Sequence, residues 1–155
     1  MSELRTNRIV PRDGLKSGAS GGVIQMAVTQ KSDKFTWDSN SATAITGMSV
    51  AITPTRSDSK ILIQVQIGAS GTHADAYPVF WQLYKNGSQI TGAKGDAAGS
   101  RPRRSGMYYD YDNTGMNATI NVTHMDEPAT TSATTYKIQI NTNGRTDMIL
   151  MEIAG

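Results

Sequence analysis

The stretch Ser59-Lys-Ile-Leu-Ile-Gln-Val-Gln-Ile67 sets Ile61, Ile63, Val65 and Ile67 two residues apart, with Gln64 and Gln66 between them. Side chains alternate across a strand, so this spacing gathers four β-branched groups on one face and leaves amides on the other. A helix would scatter the same groups around its circumference, and β-branched side chains lose χ1 freedom against the preceding turn. The segment is therefore a half-buried antiparallel strand, and it requires partners on the same sheet.

Other segments repeat the pattern. Ile24, Met26 and Val28 alternate with Gln25, Ala27 and Thr29, Phe35 and Trp37 flank Thr36, and Met48, Val50 and Ile52 keep the spacing up to Pro54. Proline has no N–H for a central ladder, so the strand stops there. Val79, Trp81 and Leu83 share one strand face, with Phe80, Gln82 and Tyr84 on the other. Asn86-Gly87 signals a two-residue hairpin that returns through Gln89 to Thr91. The glycine-rich span from Gly92 to Gly106 reads as a long loop, and Met107 to Tyr111 as a strand. Ala118, Ile120 and Val122, then Tyr136, Ile138 and Ile140, then Ile149, Met151 and Ile153 supply three more inward faces. About nine short strands with polar connections and no persuasive helix predict an all-β fold, an antiparallel β-sandwich or a barrel.

Composition narrows the functional classes. The 155 residues suffice for one domain with a real core, and the formal charge of +2 does not point to nucleic acid. Without cysteine, disulfides, cysteine-ligated metals and thiol nucleophiles are excluded. The opening Met-Ser-Glu-Leu-Arg does not read as a secretory segment. No stretch approaches the roughly 20 apolar residues of a membrane helix, so no membrane insertion is expected.

Residues 1–22 differ in texture from residues 23–155, which carry the sandwich. Leu4, Ile9 and Val10 are the sizeable apolar groups before Pro11, and Ser17 to Gly22 resembles a flexible linker. The segment reads as a tail, or as an extended arm that buries Leu4, Ile9 and Val10 only when docked on a partner.

Chemistry-bearing residues are sparse. Arg101, Arg103 and Arg104 form the one dense basic cluster, suited to subunit salt bridges, a solvated loop or an anion. His73 lies near Asp75, and His124 precedes Met125-Asp-Glu127, but two histidines make no three-histidine metal site, and no metal or cofactor is expected. Asp110 and Asp112, and Asp126 and Glu127, are carboxylate pairs without a framing motif, and no nucleophile elbow is present, so the chain is not expected to be an enzyme. Phe80, Tyr84, Tyr109 and Tyr111 exceed what a small sandwich leaves outside, and point to subunit packing or to stacking on a sugar ring.

The segments Glu3 to Gly14, Ser17 to Ile24, Ile52-Thr-Pro-Thr55, Ser59-Lys-Ile-Leu62, Gly95 to Arg101 and Leu150 to Gly155, taken in order, resemble a family of small tailed-bacteriophage virion proteins, tail-fibre-like, from phages of aquatic bacteria. The resemblance implies a homotrimeric, jelly-roll-like head similar in outline to the complement C1q and tumour-necrosis-factor folds. Leu83 to Ile90 looks like a hairpin of that head. The N-terminal arm would mount the head on another virion protein of tail or capsid, after assembly in the host cytoplasm. A fibre-tip or adaptor role is the first expectation. Capsid decoration, or a receptor-binding module for a bacterial surface glycan, are the alternatives. The chain departs from a long tail fibre in having no fibrous shaft.

Overall fold

A computed structural model describes residues 23–33, 35–37, 41–72, 78–100, 103–109, 116–142 and 147–151. Its strands are β1 Phe35–Trp37, β2 Thr43–Ile52, β3 Ile61–Thr72, β4 Pro78–Lys85, β5 Ser88–Gln89, β6 Gly106–Tyr109, β7 Met116–Asp126, β8 Thr134–Thr142 and β9 Asp147–Met151. One sheet has the order β1-β9-β3-β7; the other runs β2-β8-β4-β5, with β6 also on β4. All pairings are antiparallel. Apart from the β4–β5–β6 stretch, each step along the chain crosses to the other sheet.

The alternation in β3 sets the interior. Ile63 and Ile67 are buried and Ile61 and Val65 half-buried, whereas Leu62, Gln64 and Gln66 are exposed. β3 pairs with β7 from Ile61↔Asp126 to Gly71↔Met116 without a register shift, and with β9 along Gly68 to Thr72. Ile120 and Val122 of β7 therefore join the face of Ile63 and Ile67. From the opposite sheet, Ile45 and Met48 of β2, Leu83 of β4, and Ile138 and Ile140 of β8 complete one continuous apolar cluster. The all-β sandwich expected from the pattern is the observed architecture. Its C-terminal strand β9 sits between β1 and β3.

Hairpin chemistry holds as read. Asn86 and Gly87 have φ of 49° and 86°, the left-handed pair of a type I′ turn. Asn86 also joins β8, since its N–H donates to the Thr135 carbonyl at 2.9 Å and its Oδ1 accepts from the Thr135 N–H at 2.8 Å.

Three local expectations change. The row Ile24, Met26, Val28 forms no strand: residues 23–30 take no regular structure and leave these three side chains exposed, touching the sandwich where Thr29 Oγ1 donates to the Gly47 carbonyl at 3.0 Å. The nearby edge of β2 is bulged between Ala44 and Ser49, with Gly47 at φ 88°, so it offers no regular ladder to pair with. β7 continues through Met125 and Asp126, where a connection was expected. The return after Asn86-Gly87 is only two residues long before a 3₁₀ turn at Thr91–Ala93.

The outer edge of β4 is completed in pieces. β6 covers Pro78 to Trp81 and β5 covers Tyr84 and Lys85. Between them the Ser105 N–H donates to the Trp81 carbonyl (3.1 Å), Ser105 Oγ accepts from the Leu83 N–H (3.2 Å), and the Ile90 N–H donates to the Leu83 carbonyl (2.9 Å). Gly106 pairs with Trp81 on the core side, and a Cβ there would collide with the indole ring. Gly106→Ala should therefore lower stability by about 2 kcal/mol or more, as overpacking of a rigid side chain does. A thermal melt by circular dichroism checks this, and an unchanged midpoint would show that the ring moves away freely.

Candidate functional site

Two polar assemblies stand out, one at an end of the sandwich interior and one on the outer face of β4. The first arises where the inward rows run out of apolar residues. Counting by two from Leu83 reaches Lys85, from Val122 reaches His124 and Asp126, and from Ile138 back reaches Tyr136. Lys85 and Tyr136 are cross-strand partners in one sheet, and Asp126 faces them from the other.

Asp126 is buried, and both its oxygens are engaged. Lys85 Nζ donates to Oδ1 at 3.0 Å and to Oδ2 at 2.9 Å, and the Tyr136 hydroxyl donates to Oδ2 at 2.7 Å. A buried carboxylate is tolerated when paired and hydrogen-bonded in this way. Burial, with the bond to the Asp126 carboxylate next, raises the Tyr136 phenol well above its ordinary value. Just outside, Lys60 and Glu127 form an exposed ion pair at 2.8 Å, and the Glu127 carboxylate raises the lysine. Such a pair adds little to stability in water.

His124 is half-buried against the 3₁₀ turn at Gly92, while Asp126 and Glu127 each face their own lysine. The three residues of that run are thus distributed among different contacts, and the described residues hold no group of three His, Cys, Asp or Glu able to share a metal ion. Chemically, the triad is a charge-matched clasp between the sheets, with its carboxylate acceptors occupied by donors of the same chain.

The second assembly involves residues singled out from the sequence. The segment before β6 folds back on β4: Arg103 Nε donates to the Gly95 carbonyl at 2.6 Å, and the Arg104 guanidinium lies over the Phe80 ring, 5.1 Å from its centroid. The Gln82 amide is oriented by its neighbours. With its oxygen toward Arg104 it accepts from Nε (3.1 Å) and Nη1 (3.2 Å), and its nitrogen donates to the Tyr84 hydroxyl at 3.3 Å. Phe80 and Gln82 are each only 6% exposed as a result.

This corrects the expectation that Phe80 leaves its ring on the surface of a protomer. The ring is covered by an arginine of its own chain through a cation–π contact. Tyr84 is half-buried at the margin of the same cluster. Of the basic cluster, Arg103 and Arg104 are both half-buried, one bonded to the Gly95 carbonyl and the other over Phe80. Tyr109 belongs to β6 and pairs with Pro78. Leu4, Ile9, Val10, Arg101 and Tyr111 lie outside the described residues, as do His73, Asp75, Asp110 and Asp112.

The clasp escaped sequence reasoning, although the two-residue count that places Ile120 and Val122 inward also places Asp126 inward. Its pH dependence follows from the raised phenol. Below about pH 10 Tyr136 is protonated whether folded or unfolded, and its contribution is complete. Above that the unfolded chain loses the proton while the folded one keeps it, so stability falls by about 1.4 kcal/mol per pH unit. Tyr136→Phe should cost about 1–3 kcal/mol at neutral pH and make the alkaline slope shallower by one proton. Urea unfolding at pH 7 and between pH 10 and 12 measures both, and an identical alkaline slope in the variant would contradict the assignment.

No family model matches this chain, and comparison with curated proteins gave no match.

Proposed function

We propose that this chain is a structural protein of a tailed-bacteriophage virion, a jelly-roll head that assembles as a homotrimer and is attached through residues 1–22 to a larger component of the tail. The observation that carries this reading is the winding of the strands. The orders β1-β9-β3-β7 and β2-β8-β4-β5, with nearly every connection crossing between the sheets, support a reading as two interleaved Greek keys. Jelly rolls of this kind serve as capsid and lectin domains, so the winding agrees with the sequence resemblance to phage virion proteins. The step from fold to role is an analogy, because one architecture hosts many functions.

The polar groups support a structural role over a catalytic one. Among the described residues, Asp126, Lys85 and Tyr136 close the interior, and Arg104, Phe80 and Gln82 seal an outer face. A non-enzymatic head needs such contacts and little else. Its N-terminal arm supplies the attachment and its loops face outward.

A cryo-electron-microscopy map of virus particles purified from cells that produce the chain tests the reading. The expected result is density for three heads around a threefold axis at the tail, with residues 1–22 running into a neighbouring protein. Heads arrayed on the capsid lattice would assign a decoration role instead, and particles that lack the chain would contradict the proposal.

A further inference from the structure

Among its described residues the protomer has an apolar segment outside both sheets and a sheet edge with no strand beyond it. Residues 23–30, Val-Ile-Gln-Met-Ala-Val-Thr-Gln, belong to no helix or strand and carry no charge, and they expose Val23 (81%), Ile24 (59%), Met26 (78%) and Val28 (72%). Among the described residues, they meet the sandwich through the Thr29 hydroxyl, which donates to the Gly47 carbonyl, and make no backbone pairing with it. Such an alternating apolar row in water is the pattern of a strand whose partner is absent.

β7 offers the matching half. It ends its sheet, and among the described residues nothing pairs with its outer side. Edge strands of monomers are normally protected by being short, bulged, charged or interrupted by proline. β7 has eleven residues in regular register, and Met116 to Met125 contain no Lys, Arg, Asp, Glu or Pro. Beside that edge, Leu62 (54% exposed) and its cross-strand partner Met125 (50%) form an apolar pair on the outer face of the sheet.

The two halves lie on opposite sides of one protomer. Residues 23–30 touch β2, the outermost strand of its sheet, with β8 between it and β4. β7 sits across from the far side, where Asp126 reaches Lys85 of β4. The arm therefore cannot serve its own β7 without leaving its seat on β2, whereas a neighbouring copy can present it.

We propose that residues 23–30 of one copy add as a strand to the free edge of β7 in the next copy, laying the row Ile24, Met26 and Val28 alongside Met125, with Leu62 behind it on β3. This is β-augmentation, with main-chain bonds supplying affinity and the apolar row fixing register. The occupant is a second copy of this chain, because donor and acceptor are both uncharged, both without a backbone partner among the described residues and both present in every protomer. Val23, Ile24, Met26 and Val28 of the donor and Leu62 and Met125 of the acceptor are each half exposed or more, so pairing removes apolar surface from water on both partners. Donor and acceptor differ, so the contact is heterologous, and at three copies it closes into a ring rather than continuing as a filament. The inference rests on the proposed homotrimer for its copy number only; the strand pairing is independent of the virion.

The test uses the full chain and two double variants, Met26→Asp with Val28→Asp on the donor and Leu62→Asp with Met125→Asp on the acceptor. All four positions are exposed, so each variant should keep its far-UV circular dichroism and a cooperative melt. If the aspartates prevent folding, threonine at the same positions keeps strand propensity and replaces them. Light scattering coupled to size exclusion should give the wild type three times the 16.7 kDa protomer mass and each variant the protomer mass. Mixing the variants should restore a twofold mass, because the intact arm of one meets the intact edge of the other. A wild type of protomer mass, variants that keep the wild-type mass, or variants that do not combine would each overturn the proposal. Normal self-assembly with no incorporation into particles would count against the virion reading alone.

Discussion

Backbone N–H and C=O groups along a strand must find partners, and this requirement governs how the chain is arranged. β3 and β9 meet it by lying inside their sheet. β4 meets it with fragments, β6 with the adjoining Ser105 and β5 with the adjoining Ile90, so that the edge is closed by two separate stretches of chain. β2 avoids it by a bulge at Gly47 with Thr29 bonded to the bulge. β7 alone is long and regular with its outer side open among the described residues, and the proposed assembly addresses that edge.

Packing inside the sandwich is apolar in the middle and charged at one end. The Asp126, Lys85 and Tyr136 clasp ties β7 to β4 and β8 across the gap between the sheets. A buried ion pair of this type adds specificity of docking more than net stability, since desolvation offsets most of the Coulombic gain. It would favour the alignment of sheets that puts the three groups within hydrogen-bond distance. Trp81 shows the opposite trade: its indole packs tightly on Gly106 in the core, yet Nε1 is buried without an acceptor among the described residues, at a cost of about 1–3 kcal/mol.

Period two was enough to find the interior. Ile63, Ile67, Leu83, Ile120, Ile138 and Ile140 are buried as their spacing required, and Asn86-Gly87 makes the turn its φ preferences demand. The pattern misleads where tertiary contacts override it. Ile24, Met26 and Val28 carry a strand signal but have no ladder within the protomer. Phe80 is on the outer face, as its parity required, and is buried because Arg104, more than twenty residues later, covers it. Asp126 was legible by parity yet masked by chemistry, since a run of His, Met, Asp and Glu before a proline reads as a loop until its partners are known. Those partners, Lys85 and Tyr136, come from another sheet, and no local signal names them.

Residue-resolved amide hydrogen exchange on the full chain, at concentrations above and below assembly, tests most directly whether strand-edge pairing organises this protein. The Leu83 amide should be protected at both concentrations, because its acceptor Ser105 is in the same chain. The alternate amides of β7 that do not face β3 should be protected only in the assembled state, together with amides in residues 23–30. Rapid exchange at those β7 amides in the assembled state would contradict the account, since it would leave the longest regular edge of the sandwich open to water.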